Sequence, residues 1–149
     1  MKILIRYTCL VLLFAVSITA KAQTAGKPTL FSRFSEKIDC AVTELNKVFT
    51  ATANQAISLS FSDNFLCNAT VVSSEVKYSN LTTVVMRLPE FDNAVFVLSK
   101  ISGMSDVSYA GRIINEKSSD GYELKKDSYN NYQLIKIETD KVLQVCSGK

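Results

Sequence analysis

The most informative chemical feature of this 149-residue sequence is that it contains no histidine. Histidine is the usual general base near neutral pH and a common metal ligand. Triads, dyads and metal sites that need an imidazole are therefore excluded. No two cysteines have the CxxC spacing of a zinc or redox site, and the five glycines form no phosphate-binding loop. The sequence predicts no catalytic residue, no cofactor and no metal ligand.

Carboxylates are the remaining groups that could carry out hydrolysis, and the chain has fourteen of them. Glu90 lies in the segment LPEFDN and Glu123 in the segment DGYE. Two such acids about 5 to 10 Å apart in a concave pocket could cleave a glycosidic bond. Both segments are typical of loops, where acids are normally solvated. A carboxylate-dependent glycan hydrolase is therefore an alternative, and the main expectation is that the protein is not an enzyme.

Three cysteines, Cys40, Cys67 and Cys146, follow the first 22 residues, which are predicted to be removed on export. In an oxidising compartment one of the three would have no partner within the chain. Cys67 and Cys146 both fall in predicted strands and are the candidate disulfide, with Cys40 to Cys146 as the second choice. Cys40 projects away from the apolar stripe of a predicted helix. It is the candidate free or intermolecular thiol, which allows a further alternative, a structural subunit crosslinked through Cys40.

Four tyrosines in the last third of the chain, Tyr109, Tyr122, Tyr129 and Tyr132, form a candidate binding surface. Tyrosine makes rigid contacts with both apolar and polar groups, and it is enriched at interfaces. The alternative is that these side chains pack across strands as ordinary sheet residues.

The first 22 residues have the three parts of a cleavable secretory signal peptide. Lys2 and Arg6 precede an uncharged core, and Ala20 and Ala22 fit the small-residue pattern of signal peptidase. An uncleaved anchor is the alternative, but the apolar run is short for a membrane span. Cleavage after Ala22 predicts a secreted or periplasmic protein.

The mature chain would carry fourteen basic and fourteen acidic residues, because three basic residues leave with the leader. A balanced chain without a basic run offers little affinity for nucleic acid. No later segment is long enough for a transmembrane helix. Residues 23–30 are polar, with one glycine and one proline, and are predicted to be a flexible lead-in to a single domain at 31–149.

Hydrophobic periodicity predicts one helix followed by strands. Apolar residues recur every three or four positions from 31 to 49, which predicts an amphipathic helix. From 57 onward they alternate, with a bulge near 71–72 and strands at 81–88 and 107–114. The stretch 94–101 suits a strand or a helix, with a strand favoured, and residues 122–126 and 132–138 predict a hairpin before a last strand at 142–146.

These elements predict an α+β domain in which one N-terminal amphipathic helix packs on an antiparallel β-sheet of about six to eight short strands. The predicted function is that of a small exported, non-enzymatic domain that binds a partner protein, an envelope component or a small ligand. An inhibitor is one subcase, since a helix on an antiparallel sheet is similar to cystatin-like inhibitors, although their loop motifs are absent here. The sequence does not specify the partner, the oligomeric state or the choice between periplasm and exterior.

Overall fold

The computed structural model describes residues 26–139. The signal peptide at 1–22, its cleavage site and the predicted last strand at 142–146 lie outside these residues, and so does Cys146. The elements in chain order are β1 (Lys37–Cys40), α1 (Val42–Val48), β2 (Ala56–Ser62), β3 (Phe65–Tyr78), β4 (Leu81–Leu88), a 3-10 turn (Pro89–Phe91), β5 (Ala94–Ser102), β6 (Val107–Ile114), β7 (Asp120–Lys126) and β8 (Tyr132–Glu138).

The eight strands form one antiparallel sheet in the order β1-β8-β7-β6-β5-β4-β3-β2. From β2 to β8 each strand pairs with the next one in sequence, since short turns favour antiparallel neighbours. The short strand β1 pairs with β8, with Lys37 opposite Ile135 and Cys40 opposite Tyr132. Because β1 also lies beside β2, the sheet curls into a nearly closed barrel.

The barrel has two ends of different character. At one end, which we call the loop end, lie helix α1 and the connections 79–80, 103–106 and 127–131. At the other, which we call the strap end, lie the 3-10 turn and an irregular segment at residues 28–36, the strap. The strap is fixed by long-range hydrogen bonds, such as that from the Tyr122 hydroxyl to the Ser35 carbonyl oxygen at 2.7 Å.

Side chains alternate between the interior and the exterior of the barrel, as the pleat of a strand requires. In β2, for example, Ile57, Leu59 and Phe61 point inward between exposed serines. An eight-stranded barrel is just wide enough for side chains to fill. Its interior is packed with fully buried apolar residues, among them Leu59, Phe65, Val84, Met86, Phe96, Leu98, Ile113 and Leu134.

Helix α1 crosses the loop end and is held there by contacts to both sides of the barrel. Leu45 and Val48 are buried, and Lys47 donates to the carbonyl oxygen of Ser58 on β2 at 2.7 Å. On the opposite side, Asn46 Oδ1 accepts from the Tyr109 hydroxyl at 2.6 Å and from Lys100 Nζ at 3.3 Å. The helix therefore closes one mouth of the barrel.

The predicted α+β class is wrong. Residues 31–49 do not form one helix packed on a sheet, because the strap, β1 and α1 divide them. The buried side chains of Phe31, Ile38 and Leu45 come from three different elements that all face one interior, so their spacing only resembles a helical stripe. The structure is a nearly closed antiparallel barrel whose one short helix lies between β1 and β2.

The remaining strand predictions agree closely with the structure. The bulge near 71–72 is present as a register shift between Val71 and Ser73, and the hairpin turns at residues 127–131. The stretch 94–101 is a strand, β5. Asp120 and Gly121, predicted as a turn, instead begin β7.

Candidate functional site

Exposed apolar side chains are concentrated at the loop end. Nine large hydrophobic side chains are exposed among residues 26–139. Seven of them lie on helix α1, at the tips of the β3–β4 and β5–β6 hairpins, or in the β7–β8 turn: Val42, Val76, Tyr78, Ile101, Met104, Val107 and Tyr129. We call these seven the apolar end. Large exposed apolar patches mark interaction sites, whereas single exposed side chains need no explanation.

The two other exposed hydrophobic residues, Leu66 and Val72, lie on β3 and outside this set. Leu66 stands at the start of β3, at the strap end, and Val72 follows the bulge in the middle of β3. Leu66 is 60% exposed, comparable to Tyr78 at 69%. It therefore provides a matched control for the apolar end.

The charged groups near the apolar end have local partners. Lys77 pairs with Glu75 on the same strand. In the β7–β8 turn, the Asp127 carboxylate accepts the backbone N–H groups of Asn131 and Tyr129, each at 2.8 Å. These hydrogen bonds, led by that from Asn131, lower the pKa of Asp127, and they hold the turn so that Tyr129 projects into solvent. These groups are of both signs and do not form a patch of one charge.

Of the four candidate tyrosines, only Tyr129 lies on the surface. Tyr109, Tyr122 and Tyr132 are buried and belong to the interior. The Tyr132 hydroxyl accepts the backbone N–H of Tyr109 at 3.1 Å. Burial raises the pKa of Tyr122 to about 12. The candidate binding surface made of four tyrosines is therefore not brought together, and ordinary packing accounts for three of them.

The cysteines that the structure describes are buried and free. Cys40 points into the barrel because it belongs to strand β1, so its predicted outward orientation on a helix was wrong. Desolvation raises the pKa of both Cys40 and Cys67 to about 12. Thiols in such surroundings react slowly, so Cys40 offers no accessible group for a crosslink. The disulfide between Cys67 and Cys146 stays a prediction, since Cys146 lies outside the described residues.

The two candidate carboxylates have separate partners. Glu90 accepts from the Asn68 amide at 2.7 Å. Glu123 accepts from Arg112 at 2.6 Å and lies 3.0 Å from Lys125. The hydrogen bond from Arg112, followed by that from Lys125, lowers the pKa of Glu123, so this side chain is poorly suited to donate a proton. No contact links Glu90 with Glu123.

Asp120, the first acid of the segment DGYE, was expected in a solvated loop but is buried at the start of β7. It lines a surface depression of about 660 Å³ at the strap end, together with Glu36 and Lys136. Its two oxygens accept the backbone N–H groups of Leu30 at 2.6 Å and Phe31 at 2.9 Å. Both oxygens are engaged in holding the strap, which gives Asp120 a structural role.

Of the residues at the apolar end, only Tyr129 was predicted from the sequence as part of a binding surface. Met104 lies in the polar loop segment ISGMSD and Tyr129 in the turn segment DSYNN. A large apolar side chain in an otherwise polar turn has no core to enter, so these two positions carried a usable signal.

Residues 26–139 lack two features that would point to a specific function. No helix there is long and apolar enough to cross a membrane. Within the same residues, no group of three or more acidic or cysteine side chains lies close enough to hold a metal ion. Comparison of the chain with protein-family models, with curated proteins and with solved structures finds no match.

Proposed function

We propose that this chain is an exported, non-enzymatic binding domain that binds a protein partner through its apolar end. The observation that carries the proposal is the placement of seven of nine exposed large hydrophobic side chains at one end of the barrel. Burying them against a partner would remove apolar area from water, which is the main favourable contribution to most protein associations. Export rests on the leader at residues 1–22.

A protein is favoured over a small ligand because the barrel interior is filled by its own side chains. Small-molecule sites are usually concave and bury most of the ligand. The apolar end instead presents projecting residues, such as Met104 and Tyr129 on two separate loops. Methionine and tyrosine are enriched in the centres of protein interfaces.

A protein is also favoured over an anionic envelope surface. Binding to anionic lipid needs clustered Lys and Arg side chains on the contacting face. At the apolar end Lys77 is paired with Glu75, and Lys126 lies over the ring of Tyr132. The inhibitor subcase loses its support, because it rested on a helix packed on a sheet.

The proposal is tested by site-specific photocrosslinking in the native host. A benzophenone amino acid replaces Met104 or Tyr129 in separate variants and Leu66 in the control variant. We expect discrete crosslinks to one protein from positions 104 and 129 and none to that protein from position 66. Crosslinks to lipid alone, or equal labelling from all three positions, would reject a protein partner at the apolar end.

A further inference from the structure

Strand β3 is longer than the strand beside it, and its last part has a free edge. The first residue of β2, Ala56, pairs with Thr70, and Val71 bonds to Gln55 and Asn54. Residues 73–76 and Tyr78 continue past this point and pair with β4 on their other side, while Val72 and Lys77 lie at register shifts. No backbone partner for them on the β2 side occurs within residues 26–139. We call residues 72–78 the β3 free edge.

An unpaired edge of this kind can accept another strand. Alternate N–H and C=O groups of a strand point toward each neighbour, so those facing the missing neighbour are open to water or to another chain. Most of the side chains from Val72 to Tyr78 are exposed. A partner strand could therefore add here by main-chain hydrogen bonding.

The sequence of the edge is complementary to itself in one antiparallel register. Two copies related by a two-fold axis keep their side chains on matching faces when they pair about any one residue, and only pairing about Val76 sets Glu75 opposite Lys77. Pairing about Glu75 places two carboxylates opposite each other, and pairing about Lys77 does the same with two ammonium groups. Pairing about Val76 places Glu75 of each copy opposite Lys77 of the other, which is favourable.

The structure supports the positions that this pairing requires. The side chains of Glu75 and Lys77 contact each other within the chain, so they lie on the same face of β3. Each is about half exposed, and Val76 is 73% exposed. Register shifts occur at both ends of the edge, between Val71 and Ser73 and between Val76 and Tyr78. Such bulges twist an edge and oppose long or open-ended pairing, so they limit the contact to the few residues around Val76.

We propose that two copies of this chain associate through the β3 free edge in an antiparallel register centred on Val76. The contact is isologous, so it closes as a dimer. It uses main-chain groups and the charges of Glu75 and Lys77 beside Val76 and Tyr78, two residues of the apolar end, and it leaves the loop side chains Met104 and Tyr129 available to a different partner. Dimerisation is therefore a property beyond the proposed function, and each can fail without the other.

The test combines sedimentation equilibrium with charge reversal on the mature chain from Gln23 to Lys149. We expect a reversible dimer, and each of the single variants Glu75→Lys and Lys77→Glu should raise the dimer dissociation constant by on the order of tenfold or more, because two like-charge pairs replace two attractive pairs. Lys117→Glu, an exposed position at the strap end, makes the same charge change as Lys77→Glu and should leave the constant unchanged.

Mixing the two single variants tests the register itself. One variant carries lysine at both positions and the other glutamate at both, so a mixed dimer regains two attractive pairs. We expect the mixture to form heterodimers at close to the wild-type dissociation constant. A wild-type chain that stays monomeric up to millimolar concentration, or variants that dimerise normally, or a mixture without recovery, would each overturn the proposal. Far-UV circular dichroism of each variant verifies that the fold is retained.

Discussion

Replacing Asp120 with asparagine should release the strap from the barrel. The Asp120 carboxylate accepts backbone N–H groups from Leu30 and Phe31 on its two oxygens, and Ser118 Oγ also donates to it at 2.6 Å. The asparagine amide keeps one acceptor oxygen, but its NH₂ group faces one of the donors. One charge-assisted hydrogen bond is lost. The buried N–H of Phe31 loses its acceptor when the NH₂ group faces it, whereas the N–H of Leu30 also lies 3.2 Å from Ser118 Oγ.

The expected loss of folding free energy is about 2 to 4 kcal/mol, since a hydrogen bond to a charged group contributes about 1.5 to 3 kcal/mol and an unsatisfied buried donor adds to the cost. The loss is large compared with a typical domain stability of about 5 to 15 kcal/mol. Phe31 is fully buried against Phe91 and Tyr122, so the strap and the aromatic cluster should loosen together.

Urea unfolding measures this loss, and hydrogen exchange at the amides of Leu30 and Phe31 locates it. Asp127→Asn is the matched control, because the Asp127 carboxylate also accepts two backbone N–H groups but lies in an exposed turn. Its effect should be much smaller. An Asp120→Asn variant destabilised by less than about 1 kcal/mol, or with normal protection at both strap amides, would show that the bonds are not needed to hold the strap.

Two further changes test the interior of the barrel. Burial raises the pKa of the Cys67 thiol from its ordinary value of 9.0 to about 12. Between these pH values the thiol of the reduced, folded protein stays protonated while that of the unfolded chain loses its proton, so stability should fall as pH rises through this range. Cys67→Ala should make the fall shallower by about 1.4 kcal/mol per pH unit, measured by urea unfolding between pH 9.5 and 11, and an unchanged slope would contradict the burial of this thiol. Gly121→Ala should destabilise by about 1 to 3 kcal/mol, because an added Cβ would lie 2.5 Å from the Ile113 carbonyl oxygen, whereas Gly26→Ala meets no atom within 4 Å. Equal melting temperatures for the two alanine variants would refute the close approach of β6 and β7.

Much of the strand order along the chain was accessible from the sequence, because the alternation of apolar and polar residues persists through β2 to β8. In β2 and the first half of β3, Ile57, Leu59, Cys67 and Ala69 all point inward as their parity indicated. Even the bulge was visible, since the apolar parity changes at Val72. A strand that keeps one face in a core must show this pattern.

Barrel closure was not accessible, because it depends on contacts between residues far apart in sequence. Strand β1 has only four residues, which is too short for its alternation of apolar and polar residues to predict a strand. It forms because Ile38 pairs with Leu134 nearly a hundred residues later. The residues of α1 form a helix, as their local preference predicts. The residues before them form strand β1 instead, because they pair with β8.

The candidate site was predictable only in part. Parity could have placed Tyr122 beside Leu124 and Tyr132 beside Leu134 on inward faces, which removes these tyrosines from the surface. Tyr129, two residues past Asp127 in a polar turn, was correctly on the outside. That Met104 and Tyr129 lie at the same end as Val42 could not be inferred without the direction of each strand in the closed sheet.

Binding to the protein that crosslinks at position 104 tests the central claim most directly. Titration calorimetry would compare the chain from Gln23 to Lys149, its Met104→Ser variant and the matched Leu66→Ser variant. The apolar end predicts an affinity at least about tenfold weaker for Met104→Ser, corresponding to about 1.4 kcal/mol, and an unchanged affinity for Leu66→Ser. Equal affinities for all three, or a loss confined to Leu66→Ser, would contradict binding through the apolar end.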